Sequence, residues 1–324
     1  MNLNDLFDRL KKALNPDQPA QSSAPVPQQV PAQQPAPVQQ PEPAKAPETG
    51  PEDPFDEAFD LAVSRSLLAK ITMQTSKPFL QLTLTDQVPG IRGSKVGGVP
   101  YLPDDAEVPC DADGCPLQML AQIDCTELSA LPEFPHEGLL QFWIGQDVSY
   151  GLFTAGGSRV IYYPQTDSSV TEETVRAKLA ALPKPAESDS PLNGAFGISM
   201  SMKIAGVSAQ DVHFNPLFVR MFNEEMPEHQ ITDLSDLGDE IGETVYEEQG
   251  GFGHKIGGYP GFTQWDPRKE DDPRTVLLFQ LDSDYGDGNT KVMWGDAGIG
   301  GFFCSPEALA ARDFSDVLYN WDCG

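Results

Sequence analysis

Hydrophobic positions change their period several times along the chain. Leu3, Leu6, Phe7, Leu10 and Leu14 recur at helical spacing, with Asp5, Asp8, Arg9, Lys11 and Lys12 on the other faces. This predicts a short amphipathic helix within residues 1–14. Nucleation makes so short a helix marginal by itself. It needs its own domain, a partner's groove or a membrane surface to lean on. From residue 15 to 54 large apolar side chains are scarce, and 12 of the 30 prolines fall there among Gln and Ala. That composition buries too little surface to offset chain entropy, which predicts a disordered spacer. Helical spacing returns over 55–75 through Phe55, Phe59, Ala62, Val63, Leu67 and Ile71, with Asp53 and Pro54 as start signals.

After Pro78 the period falls to two, and Phe79-Leu80-Gln81-Leu82-Thr83-Leu84 reads as a strand. Further strands are expected at Leu139–Ile144, Arg159–Tyr163, Ala195–Ile204 and Thr275–Leu281. Helices are expected at Thr171–Leu182, stopped by Pro183, and from Ser305-Pro306-Glu307, which carries a cap, a first-turn proline and an early acid. Strands and helices are interspersed without regular βαβ spacing. This predicts a single α+β domain over residues 55–324 rather than a doubly wound fold.

Charge narrows the partners. The 324 residues carry 49 acids and 21 bases, a formal net charge of -28. Such a surface repels phosphate backbones and anionic lipids, which excludes broad nucleic-acid or membrane adhesion. No apolar run approaches the roughly 20 residues of a membrane span. Asp5 and Asp8 interrupt any signal-peptide core. A cytoplasmic protein is expected, with Cys110, Cys115, Cys125, Cys304 and Cys323 as reduced thiols. Residues 221–254 hold ten acids and no Lys or Arg, while Leu234, Leu237 and Ile241 keep a helical stripe. This acidic face and the helix 1–14 are the two candidate surfaces for a protein partner.

An internal repeat is the most informative pattern. Lys95-Val-Gly-Gly-Val-Pro100 is echoed by Lys255-Ile-Gly-Gly-Tyr-Pro260, and Ala121-Gln-Ile-Asp124 by Phe279-Gln-Leu-Asp282. Gly138-Leu-Leu-Gln-Phe-Trp143 is echoed by Gly298-Ile-Gly-Gly-Phe-Phe303. Lys95 to Gln122 is 27 positions and Lys255 to Gln280 is 25; Gln122 to Phe142 is 20 and Gln280 to Phe302 is 22. The expectation is an internally duplicated mixed or antiparallel sheet core, with halves at about 76–164 and 195–324 and a ligand cleft between them. Turn architecture accounts for the paired glycines without any ligand, since they permit positive φ ahead of a turn-fixing proline.

On these residues the chain resembles the YwqG-like family, a bacterial domain of unknown function. The resemblance is carried by Ser94–Pro103, Pro116–Asp124, Gly138–Phe142, His254–Pro260, Leu277–Asp284, Met293–Gly298 and Asp313–Asp316. It covers about residue 60 to the C-terminus. It implies a single α+β domain with an internally duplicated sheet core, and it carries no established activity.

The candidate ligand-binding residues are Lys95, Gly97, Gly98, Gln122, Asp124, His254, Lys255, Gly257, Gly258, Gln280, Trp294 and Asp296. His254 with Asp124, Asp282, Asp284 and Asp296 would suit acid-base or metal chemistry if the halves face each other. The turn 282–289 is rich in oxygen ligands, so Asp282, Asp284 and Asp287 are candidate metal ligands. An EF-hand is excluded, since Asp287 stands at the sixth position and Met293 at the twelfth. Against each site stands a structural role: Asp caps turns, and Trp294 fills a core. Walker, G-x-G-x-x-G, G-x-S-x-G and zinc-spacing motifs are absent, so no cofactor is expected. A non-enzymatic binding or interaction domain leads. A metal-dependent or acid-base hydrolase between the repeat halves, and a purely structural module, are the alternatives.

Overall fold

The computed structural model describes residues 57–183, 188–286 and 288–324; the helix expected in 1–14, the spacer 15–54 and Asp287 lie outside the described residues. Helix α1 (Glu57–Thr75) ends where Thr75 Oγ1 donates to Ile71 O at 2.7 Å and Ser76 Oγ to Thr72 O at 2.5 Å. Hydroxyls that bond back one turn, followed by Pro78, close the helix. Its buried face is Asp60, Ser64, Leu67, Leu68 and Ile71. Ala62, expected on that face, is exposed. The stripe is polar at this end because Asp60 faces His229, whose Nε2 is 3.8 Å from Oδ2.

Helix α1 packs with α3 (Phe214–Glu225) and α4 (Asp239–Glu248) around one apolar cluster. The four-residue spacing of Phe214, Phe218 and Phe222 puts three rings on one face of α3, stacked at 5.8 and 6.1 Å. Leu237, Ile241 and Val245 seal the cluster from the acidic segment, and most of that segment's carboxylates point outward. Helix α2 (Glu172–Ala180) starts at Thr171 in a capping box, and α5 (Pro306–Ala311) starts at Ser305, whose hydroxyl accepts from Ala308 N–H.

The strands are β1 (Lys77–Thr85), β2 (Lys95–Val96), β3 (Gln118–Asp124), β4 (Leu139–Ile144), β5 (Ser158–Tyr163) and β6 (Phe196–Ala205). They continue with β7 (Lys255–Gly257), β8 (Val276–Asp282), β9 (Asp284–Gly286), β10 (Asn289–Val292), β11 (Ile299–Cys304) and β12 (Leu318–Asp322). Of the polar stretch 282–289, Asp282 ends β8, Asp284–Gly286 form β9 and Asn289 opens β10. The other ten strands form one sheet in the order β12-β11-β8-β7-β1-β6-β2-β3-β4-β5. Every ladder is antiparallel, so of the two expected sheet types the antiparallel one is found.

The long pair β1–β6 forms the middle of this sheet, from Lys77↔Ala205 to Thr85↔Gly197. On one side Lys95 pairs with Gln122; on the other Lys255 pairs with Gln280. The β3–β4 register skips Leu120 and the β8–β11 register skips Leu278, each two residues before the glutamine. Such bulges bend a strand and increase its twist. The sheet folds over until its two ends meet: Phe142 of β4 stacks on Phe279 of β8 at 4.7 Å and lies 5.1 Å from Phe302 of β11. The result is close to a barrel, with the two edge strands β5 and β12 unpaired on their outer sides among the described residues.

Candidate functional site

The sequence candidates separate into sealed groups and turn groups. Lys95 and Lys255 are buried beneath the double-glycine turns. Lys95 Nζ donates to Gly90 O and Ile91 O, both at 3.2 Å, and Lys255 Nζ donates to Gly251 O at 2.6 Å. Burial lowers each ammonium to about 8. The buried glutamines sit beside them. Gln122 Nε2 donates to Ile91 O and Gly93 O, and its Oε1 accepts from Tyr101 N–H and Gln141 Nε2. Gln280 Nε2 donates to Gly251 O and Gly253 O, and its Oε1 accepts from Gly261 N–H. These four side chains hold loop backbone in place, and their polar atoms are occupied.

The glycines themselves have positive φ: 66° and 75° at Gly97 and Gly98, 72° and 71° at Gly257 and Gly258. Each turn borders a hollow. Gly97 and Gly98 line one of about 470 Å³ with Met119, Trp143 and Leu192. Gly257 and Gly258 line one of about 190 Å³ with Lys77, Asp211 and Arg268.

His254, Asp282 and Asp284 come together, while Asp124 and Asp296 stand elsewhere. His254 Nδ1 accepts from Asp282 N–H at 3.0 Å, which leaves the ring proton on Nε2, 3.6 Å from Asp284 Oδ2. Burial lowers the His254 imidazole, and the charges of Asp282 and Asp284 oppose that. Burial raises the Asp282 carboxyl against the pull of the Gly253 N–H that it accepts at 2.7 Å. Asp124 caps the one-turn helix Cys125–Leu128 by accepting from Thr126 N–H. Asp296 is exposed, and Trp294 is fully buried against Tyr150 and Trp321. Among the described residues no group of three or more His, Cys, Asp or Glu could hold a metal ion, and Asp287 lies outside them.

A larger cleft opens where the barrel does not close. It measures about 580 Å³ and lies between β5 and the segment leading into β12. Ser158 to Tyr162 form one wall, Phe314 and Val317 the other, and Phe302 lies between. Tyr162 meets Phe314 edge-on at 6.3 Å. Among the described residues the cleft is lined by Arg159 and Arg312 and by no carboxylate. Arg159 is exposed, and its side chain has no hydrogen bond or ion pair among the described residues. Arg312 ends α5 in the left-handed conformation, φ 57° and ψ 31°. Glycine or asparagine suits that position better than arginine. Its Nη1 donates to Glu133 O at 2.8 Å and Leu309 O at 2.7 Å, which fixes the side chain in the cleft. Sequence patterns missed both arginines, because they lie 153 positions apart and neither lies in the echoed segments. An arginine just after a capped helix, where a glycine is expected, was the available signal.

A family model for a domain of unknown function (DUF1963) matches residues 94–323. The chain belongs to the DUF1963 family. No curated protein matches the sequence. The DUF1963 match runs from β2 to β12, so it includes both double-glycine turns and both walls of the cleft, while α1 and β1 precede it.

Proposed function

We propose that this DUF1963 chain is a YwqG-like binding domain built from a duplicated unit, and that it takes an anionic ligand in the cleft between β5 and β12. One observation carries the reading. In a chain with 49 acids and 21 bases, a cleft of about 580 Å³ has two arginines and, among the described residues, no acid in its walls. A cationic hollow in an acidic surface concentrates anions and rejects cations. Arginine presents several planar donors suited to carboxylate or phosphate. Arg312 keeps its conformation at a cost of roughly 1 to 2 kcal/mol, which favours a role beyond packing. Matched pairings at Lys95–Gln122 and Lys255–Gln280, with matched bulges, support the duplication, and the cleft then falls between the halves. The hollow at Gly97 and Gly98 is a weaker candidate, since its amides are engaged: Gln118 Nε2 donates to Asp189 O and Gln146 Nε2 to Pro116 O.

The test is calorimetric titration of the full-length chain with citrate, inorganic phosphate and nucleotides at low salt, beside Arg159→Glu. At least one anion is expected to bind the unaltered chain and to lose tenfold or more in affinity with Arg159→Glu. Equal affinities for both chains, or no binding either by these anions or by an acidic peptide, would overturn the reading.

A further inference from the structure

We propose that the anion held in this cleft is an extended acidic peptide, paired through its backbone with the free edge of β5. The inference rests on the anionic reading of the cleft and adds the form of the ligand.

Three observations lead there. The first is the edge. Among the described residues β5 pairs only with β4 and β12 only with β11, whereas every other strand of the large sheet has two neighbours. An edge presents a row of unpaired N–H and C=O groups. The wall Ser158–Tyr162 is five residues of that edge, about 17 Å of strand at ~3.4 Å per residue.

The second is the missing protection. Proteins shield such edges with prolines, bulges or inward charges. Ser158–Tyr162 contains no proline, and the β4–β5 register runs without a shift from Ile144↔Ser158 to Leu139↔Tyr163. The neighbouring stretch of the seam, by contrast, is tied shut. Tyr319 Oη donates to Tyr150 O at 3.1 Å, and Trp321 Nε1 to Ser149 O at 2.7 Å. The seam is therefore closed at the β4–β5 connection and open along β5.

The third is the alternation of chemistry along the edge. Val160 is buried opposite Phe142, toward Phe302. Arg159, its neighbour, is on the opposite side of the pleat and exposed. A strand laid beside β5 repeats this alternation, with apolar side chains toward Val160, Phe302 and Phe314, and carboxylates toward Arg159. Arg312, anchored by Glu133 O and Leu309 O and free of ion pairs among the described residues, is available to a further carboxylate. Backbone bonds then provide affinity and the alternate side chains provide selection, as in other strand additions.

The experiment uses the full-length chain and a fluorescein-labelled hexapeptide of alternating glutamate and valine, read by polarisation at low salt. Two companions carry N-methyl groups on one or the other alternate set of backbone amides. They keep the charge and remove half of the donors. The parent peptide is expected to bind, Arg159→Glu to weaken it at least tenfold, and methylation of at least one set to weaken it at least tenfold. If citrate binds and both methylated peptides bind like the parent, or no peptide binds, the strand inference falls and the anionic site stands. If neither citrate, phosphate, nucleotides nor peptide binds, both fall.

Discussion

Replacing Gln122 by leucine keeps the side chain's approximate volume and removes all four of its hydrogen bonds. Ile91 O retains Lys95 Nζ at 3.2 Å, so three groups lose their partner: Gly93 O, Tyr101 N–H and one N–H of Gln141. A buried polar group left unpaired costs about 1 to 3 kcal/mol, which gives roughly 3 to 9 kcal/mol for the three. Gly93 is half-buried, and water can reach its carbonyl. The lower part of the range, about 3 to 5 kcal/mol, is therefore expected. The paired position provides an internal control. Gln280→Leu leaves only Gly253 O and Gly261 N–H unpaired, because Gly251 O keeps Lys255 Nζ at 2.6 Å. Its loss should be smaller, about 2 to 3 kcal/mol. Urea unfolding of the full-length chain, followed by tryptophan fluorescence and circular dichroism, measures both. A loss under about 1 kcal/mol for Gln122→Leu, or a larger loss for Gln280→Leu, would refute the account of these glutamines as backbone anchors.

Further predictions concern charge, backbone and packing. Lys95 and Lys255 are lowered by burial from an ordinary 10.5 to about 8. Between those values the unfolded chain holds more protons, so these lysines make stability rise with pH there, and their penalty is constant below about 8. Burial pushes Cys125 and Cys304 from 9.0 up to about 12. The unfolded thiols lose protons first, so their contribution falls above pH 9. Urea midpoints should therefore increase from pH 7.5 to about 9 and decline above about 10, and Lys95→Met with Lys255→Met should flatten the increase. Gly97→Ala should destabilise more than Gly114→Ala: both have positive φ, but a Cβ at Gly97 would meet Gly194 O at 2.5 Å, and one at Gly114 meets nothing within 4 Å. Thermal midpoints of the two variants decide it, and equal shifts would contradict the close approach. Phe218→Ala removes a fully buried ring between Phe214 and Phe222 and should cost about 3 to 5 kcal/mol in calorimetry.

Local patterns determined local structure. A period of two placed the strand Phe79–Leu84 within β1, and Ser305 with Pro306 placed the start of α5, because strand period and caps depend on neighbours in the chain. The paired glycines marked positive φ for the same reason. Helix α3 went unseen, since His213 gives its start no side-chain cap bond and Pro216 interrupts its first turn. Its three phenylalanines become a helix face only against α1 and α4. The order of the sheet was beyond local patterns. β2 and β7 are two and three residues long, too short to show a period, yet they join the outer strands to the central pair. The cleft was equally hidden. Arg159 and Arg312 acquire a shared meaning only when the sheet folds over and leaves β5 facing the approach to β12. Sequence alone determined the periods, caps and turns, which short-range sterics and hydrogen bonding decide. The tertiary structure alone decided which distant edges meet, because that depends on packing of whole layers.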